Sequence, residues 1–291
     1  MKTLVKLIKN PTSLTGILLI LFFAAVALLA PVLAPPPRPD EPYRIPRDGF
    51  SMEPRPPSPE HPFGTTQGQY DIYYGMVWGT RTAFRVGLIV TSTTLLIGTL
   101  IGSISAYIGG IVDEIVMRIV DIFMAFPSIV AAMVLATILG KGLDKAMIAM
   151  ITFGWMGYAR MVRGDVLAVR EMDYVSAAIA AGAGPIRILI KHILPNAIYP
   201  VLIQASMQVG SMVIWASTLS FLGVGAPEGY ADWGQLISFS RNWIIGDFTN
   251  PFRYWYTIAF PAGGITLFVL GWNLVGDAFR DVLDPRLRGT R

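Results

Sequence analysis

Cysteine is absent from the 291 residues, and histidine occurs only twice. A chain without cysteine has no disulfide, no thiolate metal site and no cysteine nucleophile. The two histidines, His61 and His192, are too few for a histidine-rich metal site. Charged residues are also scarce, at 14% against roughly a quarter in soluble domains, whereas 53% of the residues are hydrophobic. The composition therefore indicates a membrane protein.

Sequence motifs of several enzyme classes are missing as well. No GxxxxGK[ST] occurs, and the nearest segment, Gly140-Lys141-Gly142, lacks both the spacing and the hydroxyl group of a phosphate-binding loop. HExxH, GxSxG and clusters of acidic residues with histidine are also absent, and no basic cluster indicates a nucleic-acid surface. We therefore expect no catalytic, cofactor or metal site in this chain and no nucleic-acid partner.

Long apolar stretches are what the sequence does contain. A helix needs about 20 apolar residues to cross a bilayer, because each residue rises ~1.5 Å through a ~30 Å core. Five uncharged stretches reach or approach this length. A sixth and shorter stretch, Ala146–Ala159, can also span if Lys145 and Arg160 at its ends reach the interfaces. With it, the sequence predicts an all-α membrane protein with about six transmembrane helices. The five longer stretches are Leu14–Leu33, Val86–Val112, Ile122–Gly140, Ile193–Pro227 and Tyr254–Gly276.

The distribution of lysine and arginine predicts the orientation. With the N-terminus inside, the inside segments hold more of these residues than the outside segments, and many of the outside ones lie in the long first loop, where they count little. We therefore expect a multi-pass protein of the cell membrane with cytoplasmic N- and C-termini. The predicted divisions are a cytoplasmic N-terminus and first helix (1–34), an extracytoplasmic proline-rich segment (35–81) and a five-helix permease domain (82–291).

Two features of the N-terminal third have alternative interpretations. The first apolar run ends in an Ala-Pro-Val-Leu-Ala sequence at Ala34, which also resembles the end of a cleaved signal peptide, but the run is long for one. We prefer a retained helix. Residues 35–62 are rich in proline, which favours extended backbone without donors, and we expect a stiff linker rather than a docking surface.

Ionisable residues occur near the predicted third span. Arg118 follows Glu114 by four residues and precedes Asp121 by three, so the three side chains share one face of a helix. Asp113 lies beside them. We expect these groups to neutralise one another near the inner interface rather than to take part in transport.

The longest inside connection, residues 171–197, predicts two short helices. Glu171 and Asp173 suit the positive end of the first helix dipole, and Gly182 can adopt the left-handed conformation that ends it. Pro185 suits the first turn of the second helix, which we expect Pro195 to end. The alanines of the first helix form a slim surface that fits either a groove of a partner protein or the surface of the bilayer.

This segment resembles the cytoplasmic loop of ABC importer permeases, in which Glu-Ala-Ala is followed by a glycine and then by Ile-x-Leu-Pro or a close variant. A serine replaces the usual glutamate, which puts any salt bridge of that glutamate in doubt but not the helix–glycine–helix shape. The resemblance implies a type I importer permease fold with cytoplasmic coupling helices. The residues it assigns to the ATPase-coupling loop are Asp173, Tyr174, Ser176, Ala177, Ala178, Gly182, Ile193, Leu194 and Pro195.

Further motifs are similar to one branch of that family, the C-type permease subunit of dipeptide and oligopeptide importers. The resemblance runs from about residue 12 to the end and is weakest at residues 35–60, and the usual Gly-Arg-Asp is degraded to Gly-Gln-Tyr-Asp at 68–71. The motifs are His61-Pro62-Phe63-Gly64-Thr65, Leu219-Ser220-Phe221-Leu222-Gly223-Val224-Gly225, Asp232-Trp233-Gly234, Asn273-Leu274-Val275-Gly276-Asp277, Arg280-Asp281 and Leu283-Asp284-Pro285-Arg286.

The resemblance implies several partners: a second homologous permease, two ATPase subunits that bind ATP and magnesium, an external solute-binding protein and membrane lipid. Peptides, oligosaccharides and nickel chelates are all substrate classes of this branch, and peptide is the first choice. A stand-alone secondary transporter is the alternative from another class. It should show intramembrane charges or paired broken helices, which are not apparent in the sequence.

Overall fold

The computed structural model of the protein describes residues 10–243 and 250–283, and the regular structure in those residues is helical, as predicted. In chain order the helices are α1 (Pro11–Leu33), α2 (Ile72–Ile108), α3 (Gly110–Met124), α4 (Ser128–Leu139), α5 (Leu143–Arg170), α6 (Asp173–Ala180), α7 (Pro185–Phe221), α8 (Trp233–Ser240) and α9 (Tyr256–Leu283). Helix α7 contains a π-helical stretch at Leu189–Ile193.

Four of these helices, α1, α2, α7 and α9, are long and apolar enough to cross a membrane. Helices α3 and α4 qualify together as a fifth span, although they are bent by 84° at the break between them. The fourth predicted span, Ala146–Ala159, lies within α5. This helix is long enough to cross a membrane but is not apolar enough to count among the candidate spans. Its additional turns carry charged residues, including Asp144, Arg163 and Asp165.

The third predicted span, Ile122–Gly140, is wrong as a continuous helix. Helix α3 ends at Met124, and α4 begins only after Pro127. Proline has no N–H to donate and disfavours a helical conformation in the residue before it, so the chain breaks at Phe126–Pro127. Pro127 therefore lies at the bend itself.

Helix α1 is an integral part of the helix bundle. Asn10 caps it by accepting a hydrogen bond from the backbone N–H of Thr12, at 3.2 Å. A Cβ added at Gly16 would lie 2.6 Å from Cβ of Leu274, so α1 approaches α9 closely. The ring of Phe23 packs edge-on against Phe268, at 5.4 Å between centroids. Helix α1 therefore packs directly on α9, and its retention stays a prediction.

The expectation of a stiff linker at residues 35–62 is wrong, because this part of the chain is packed. The backbone N–H of Ile45 donates to the carbonyl of Gly229 (2.8 Å), and the N–H of Ala231 donates to the carbonyl of Tyr43 (2.7 Å). Ile45 is only 2% exposed. Residues between the prolines thus supply the donors that proline lacks. Helix α2 begins at Ile72, which lies inside the extracytoplasmic segment predicted at 35–81.

Helices α2 and α5 form the centre of the fold and run parallel. Arg85, several turns into α2, contacts Asp144 near the start of α5, and Arg170 at the end of α5 contacts the carbonyl of Ala106 near the end of α2. Between these points, a Cβ added at Gly102 would lie 2.3 Å from the carbonyl oxygen of Ala159. Since the two helices are parallel, the bent α3–α4 pair returns the chain from the end of α2 to the start of α5.

Candidate functional site

The connection between α5 and α7 contains the predicted coupling residues, and its first part folds as expected. Helix α5 ends at Arg170, and α6 begins at Asp173, which lies in the first turn of α6 as an acidic residue at the positive end of its dipole. Glu171 lies in the turn before the helix. Alanines fill the second half of α6, where they favour helix formation without adding bulk.

Gly182 ends the first helix in the predicted left-handed conformation, with φ of +81°. Its N–H donates to the carbonyl of Ile179, and the N–H of Ala183 donates to the carbonyl of Ala178. These bonds satisfy carbonyl groups that the helix end leaves free. A Cβ added at Gly182 would meet no atom within 4 Å, so only the backbone conformation requires glycine here.

The prediction that Pro195 ends the second helix is wrong. Pro185 is the first residue of α7, as expected, but the helix continues past Pro195 to Phe221. A π-helical stretch precedes the proline, and the N–H of Leu194 donates to the carbonyl of Leu189, five residues back. The wider turn changes the hydrogen-bond register just before the residue that cannot donate, so the helix continues.

Three apolar side chains anchor the loop to the helix bundle. Val175 on α6 and Ile193 on α7 are fully buried, and Ile188 is nearly so. They form one cluster with Val162 and Val166 on α5. We had not singled out Val175 or Ile188 in the sequence, and Ile188 lies in an apolar run in which no single residue stands out. The cluster fixes α6 against the ends of α5 and α7.

The predicted coupling residues divide between this anchor and an exposed surface. Ile193 belongs to the anchor, and Ala178 and Leu194 are half-buried. The hydroxyl of Tyr174 lies 3.4 Å from the carbonyl oxygen of His192, so the tyrosine joins α6 to α7. The remaining residues of the set, which are exposed, are Asp173, Ser176, Ala177, Gly182 and Pro195, together with Tyr174.

The exposed surface extends beyond the predicted residues. Ile186 is 74% exposed, and Ile179 is 55% exposed. Small residues lie between them in the sequence, including Ala180, Ala181 and Gly184. Apolar side chains on a narrow projecting loop are a common feature of surfaces that bind another protein.

The charged residues of α3 pair mainly with α5 rather than with one another, so our expectation of neutralisation within one helix is only partly right. Asp113 accepts two hydrogen bonds from the guanidinium group of Arg163, at 2.6 and 2.8 Å. Asp121 pairs with Arg160. Only the Glu114–Arg118 pair, at 3.8 Å, follows the predicted spacing within α3.

The Asp232-Trp233-Gly234 motif has a packing role. Asp232 caps α8 by accepting from the N–H of Gln235 (2.9 Å), and burial raises the pKa of its carboxyl group to about 6. The indole of Trp233 donates to the carbonyl of Met76 on α2 (3.1 Å). A Cβ added at Gly234 would lie 2.2 Å from the carbonyl oxygen of Ser217, so only glycine fits between α8 and α7.

Other motifs of the resemblance also lie at packed positions. His61 contacts Asp71 through Nδ1 at 2.6 Å, and Asp71 caps α2 by accepting from the N–H of Tyr74. Gly276 on α9 lies against Met207, whose Cγ would be 2.3 Å from an added Cβ. Part of the C-terminal motif, 284–286, lies outside the described residues.

Known proteins that are similar to this chain are membrane components of transport systems. The family described as "Binding-protein-dependent transport system inner membrane component" matches residues 98–289. The dipeptide transport system permease protein DppC of Alkalihalophilus pseudofirmus is 36% identical over 280 residues, which cover 96% of this chain and 88% of that protein. The oligopeptide transport system permease protein OppC of Bacillus subtilis is also 36% identical over 280 residues, covering 96% and 87%.

A solved structure shares the fold. An inward-facing conformation of the MetNI methionine ABC transporter matches 72% of this chain and 97% of that chain, with a TM-score of 0.58. The sequence identity is 21%, so this likeness concerns the fold alone.

Proposed function

Because this chain belongs to the family of inner-membrane components of binding-protein-dependent transport systems, we propose that it is the permease subunit of a peptide importer and that its α5–α7 loop couples transport to separate ATPase subunits. The chain is an ABC importer permease with a type I fold. Peptide is the solute class named for the relatives that match nearly the whole chain. Oligosaccharides and nickel chelates are the rival solutes.

The observation that carries the coupling role is the contrast between the two sides of α6. One side is fixed to the bundle through the buried Val175, and the other presents small and apolar residues without cover from the described chain. A narrow helix with a rigid attachment can enter a groove of a partner and transmit its movement. Differential binding of about 5.5 kcal/mol would shift such a two-state permease from 1:99 to 99:1.

The partners that follow from this proposal are a second homologous permease, two ATPase subunits beneath the loop and a solute-binding protein on the opposite side. Both termini then lie in the cytoplasm. ATP and magnesium bind in the ATPase subunits, because the sequence of this chain has no phosphate-binding loop. The purified chain alone should therefore hydrolyse no ATP.

A thiol footprint tests the coupling role, since the chain is naturally free of cysteine. Single cysteines at Ala180 and Ile186 should react rapidly in the isolated permease and at least about fivefold more slowly once the ATPase subunits bind. Ser58→Cys, at an exposed position that is distant in the sequence from the α5–α7 loop, is the control and should react equally in both states. Unchanged reactivity at Ala180 and Ile186 in the assembled complex would place the ATPase contact elsewhere.

A further inference from the structure

A cleft of about 530 Å³ between α3 and α5 is lined by six charged residues: Asp113, Glu114, Arg118, Asp121, Arg160 and Arg163. Three are acidic and three are basic, so the cleft has no net charge. Its volume lies within the range of about 300–1,000 Å³ that is typical of sites for small ligands. The mixture of signs suits a solute that carries one charge of each sign.

The charged pairs of this cleft differ in how firmly they are held. Asp113 is buried and accepts two hydrogen bonds from Arg163, so this pair is fixed. The side chains of Asp121 and Arg160 are 53% and 49% exposed, and within the described residues they form a salt bridge only with each other, although Arg163 also attracts Asp121 at longer range. Their remaining hydrogen-bonding capacity is therefore open towards the cleft.

An exposed apolar stripe on α3 borders the cleft. Ile111, Ile115, Ile119 and Ile122 form an exposed apolar stripe at helical spacing. Asp113 and Asp121 lie on the side that faces α5, where they pair with Arg163 and Arg160, and Arg118 lies between them and the stripe. Because half-exposed ionised side chains are costly in hydrocarbon, the charged side requires water or a polar solute.

We propose that this cleft is a water-accessible subsite on the solute path, where Arg160 takes the terminal carboxylate and Asp121 the terminal ammonium group of a zwitterionic peptide. The inference rests on the proposed function. A guanidinium group can bind a carboxylate through two parallel hydrogen bonds, so the peptide exchanges one ion pair for two without a net change of charge. Such an exchange gives weak binding, as a passage site requires.

The subsite and the coupling loop share one helix. Arg160 and Arg163 lie on α5, and Val162 and Val166 of the same stretch pack against Val175 of α6. At the other side of the cleft, α3 begins at Gly110, and both this residue and Gly109 before it have positive φ. A solute held between α3 and α5 therefore contacts the helix that leads directly into the loop.

Protection of a cysteine at the rim of the cleft tests this proposal. In the assembled permease–ATPase complex, Arg118→Cys should react with a water-soluble thiol reagent. Trialanine at about 10 mM, a concentration suited to a millimolar site, should slow this reaction at least threefold. N-acetyl-trialanine amide, which has the same length but no terminal charges, should leave the rate unchanged. Adding Arg160→Gln to Arg118→Cys should abolish the protection by trialanine.

Two control variants show whether the protection is specific to the cleft. Ile119→Cys, at the position of the apolar stripe turned furthest from the acidic residues of the cleft, should react slowly and independently of peptide. Lys145→Gln removes one positive charge from α5 outside the cleft and should preserve the protection at residue 118. Absence of labelling at residue 118, equal protection by the blocked peptide, or protection that survives Arg160→Gln would each overturn the proposal.

The wild-type complex with its binding protein is assayed in parallel for ATP-driven uptake of trialanine. Uptake without protection at residue 118 would refute the subsite alone. Absence of uptake would instead refute the proposed function.

Discussion

Gly182 tests how the loop works, because its backbone conformation requires glycine whereas the neighbouring atoms do not. Its φ is +81°, and an added Cβ would meet no atom within 4 Å. Gly182→Val therefore introduces no clash within the described chain. A left-handed conformation costs an ordinary L-residue about 1–2 kcal/mol, and β-branched residues adopt it least readily.

The expected effect on transport follows from this cost. A difference of about 1.4 kcal/mol changes an equilibrium tenfold, so the population of loops with α6 at its native angle should fall by roughly that factor. We expect ATP-driven uptake by the reconstituted complex to fall about tenfold, whereas the amount of the chain in the membrane stays unchanged. Uptake is measured together with pull-down of the ATPase subunits.

Gly182→Asn is the matched control. Asparagine is about as large as valine but adopts the left-handed conformation much more readily, so uptake should stay within about twofold of the wild type. If both substitutions impair uptake equally, bulk at this position matters and the conformational argument is refuted. Normal uptake with both would show that Gly182 is only a spacer. Ser176→Ala should also be mild, because the side chain of Ser176 is exposed and already lacks the carboxylate of the family pattern.

Further predictions concern the anchor, a buried carboxyl group and the topology. Val175→Ala removes two fully buried carbon atoms and should lower the free energy of unfolding by about 2 kcal/mol, measured by denaturant unfolding in detergent. Burial raises the pKa of Asp232 to about 6, so the folded state binds the proton more tightly than the unfolded state and stability should fall by about 3 kcal/mol as pH rises from about 4 to about 7. Asp232→Asn keeps a capping acceptor and should remove this dependence in thermal unfolding, and a pH profile identical to that of the wild type would contradict the assignment. In sealed cells, Ser58→Cys should react with an impermeant thiol reagent and Thr290→Cys should not, whereas labelling at residue 290 would overturn the proposed orientation.

The helices and the shape of the loop could be predicted because they depend on local chemistry. Apolar stretches of sufficient length predicted most of the spans, and Gly182 and Pro185 marked the end of α6 and the start of α7 correctly. The bend at Pro127 could have been predicted from the same rules. We placed a continuous helix there because the apolar character of the stretch outweighed the proline.

Other features depend on contacts between distant parts of the chain, which one sequence does not reveal. The partners in the pairs Asp113–Arg163 and Asp121–Arg160 lie 50 and 39 positions apart in the sequence. The proline-rich segment is packed because Tyr43 and Ile45 bond to residues near 230. The continuation of α7 past Pro195 depends on a π-helical turn that no residue type in that segment demands.

We expect this permease to move a peptide only when its loop is engaged by ATPase subunits. The most direct test is uptake of labelled trialanine into proteoliposomes that contain this chain, its partner permease and the ATPase subunits, with the binding protein and ATP supplied on their respective sides. Accumulation should require every component and ATP hydrolysis. Accumulation that persists without the ATPase subunits, driven by an ion gradient, would contradict the claim and favour a secondary transporter.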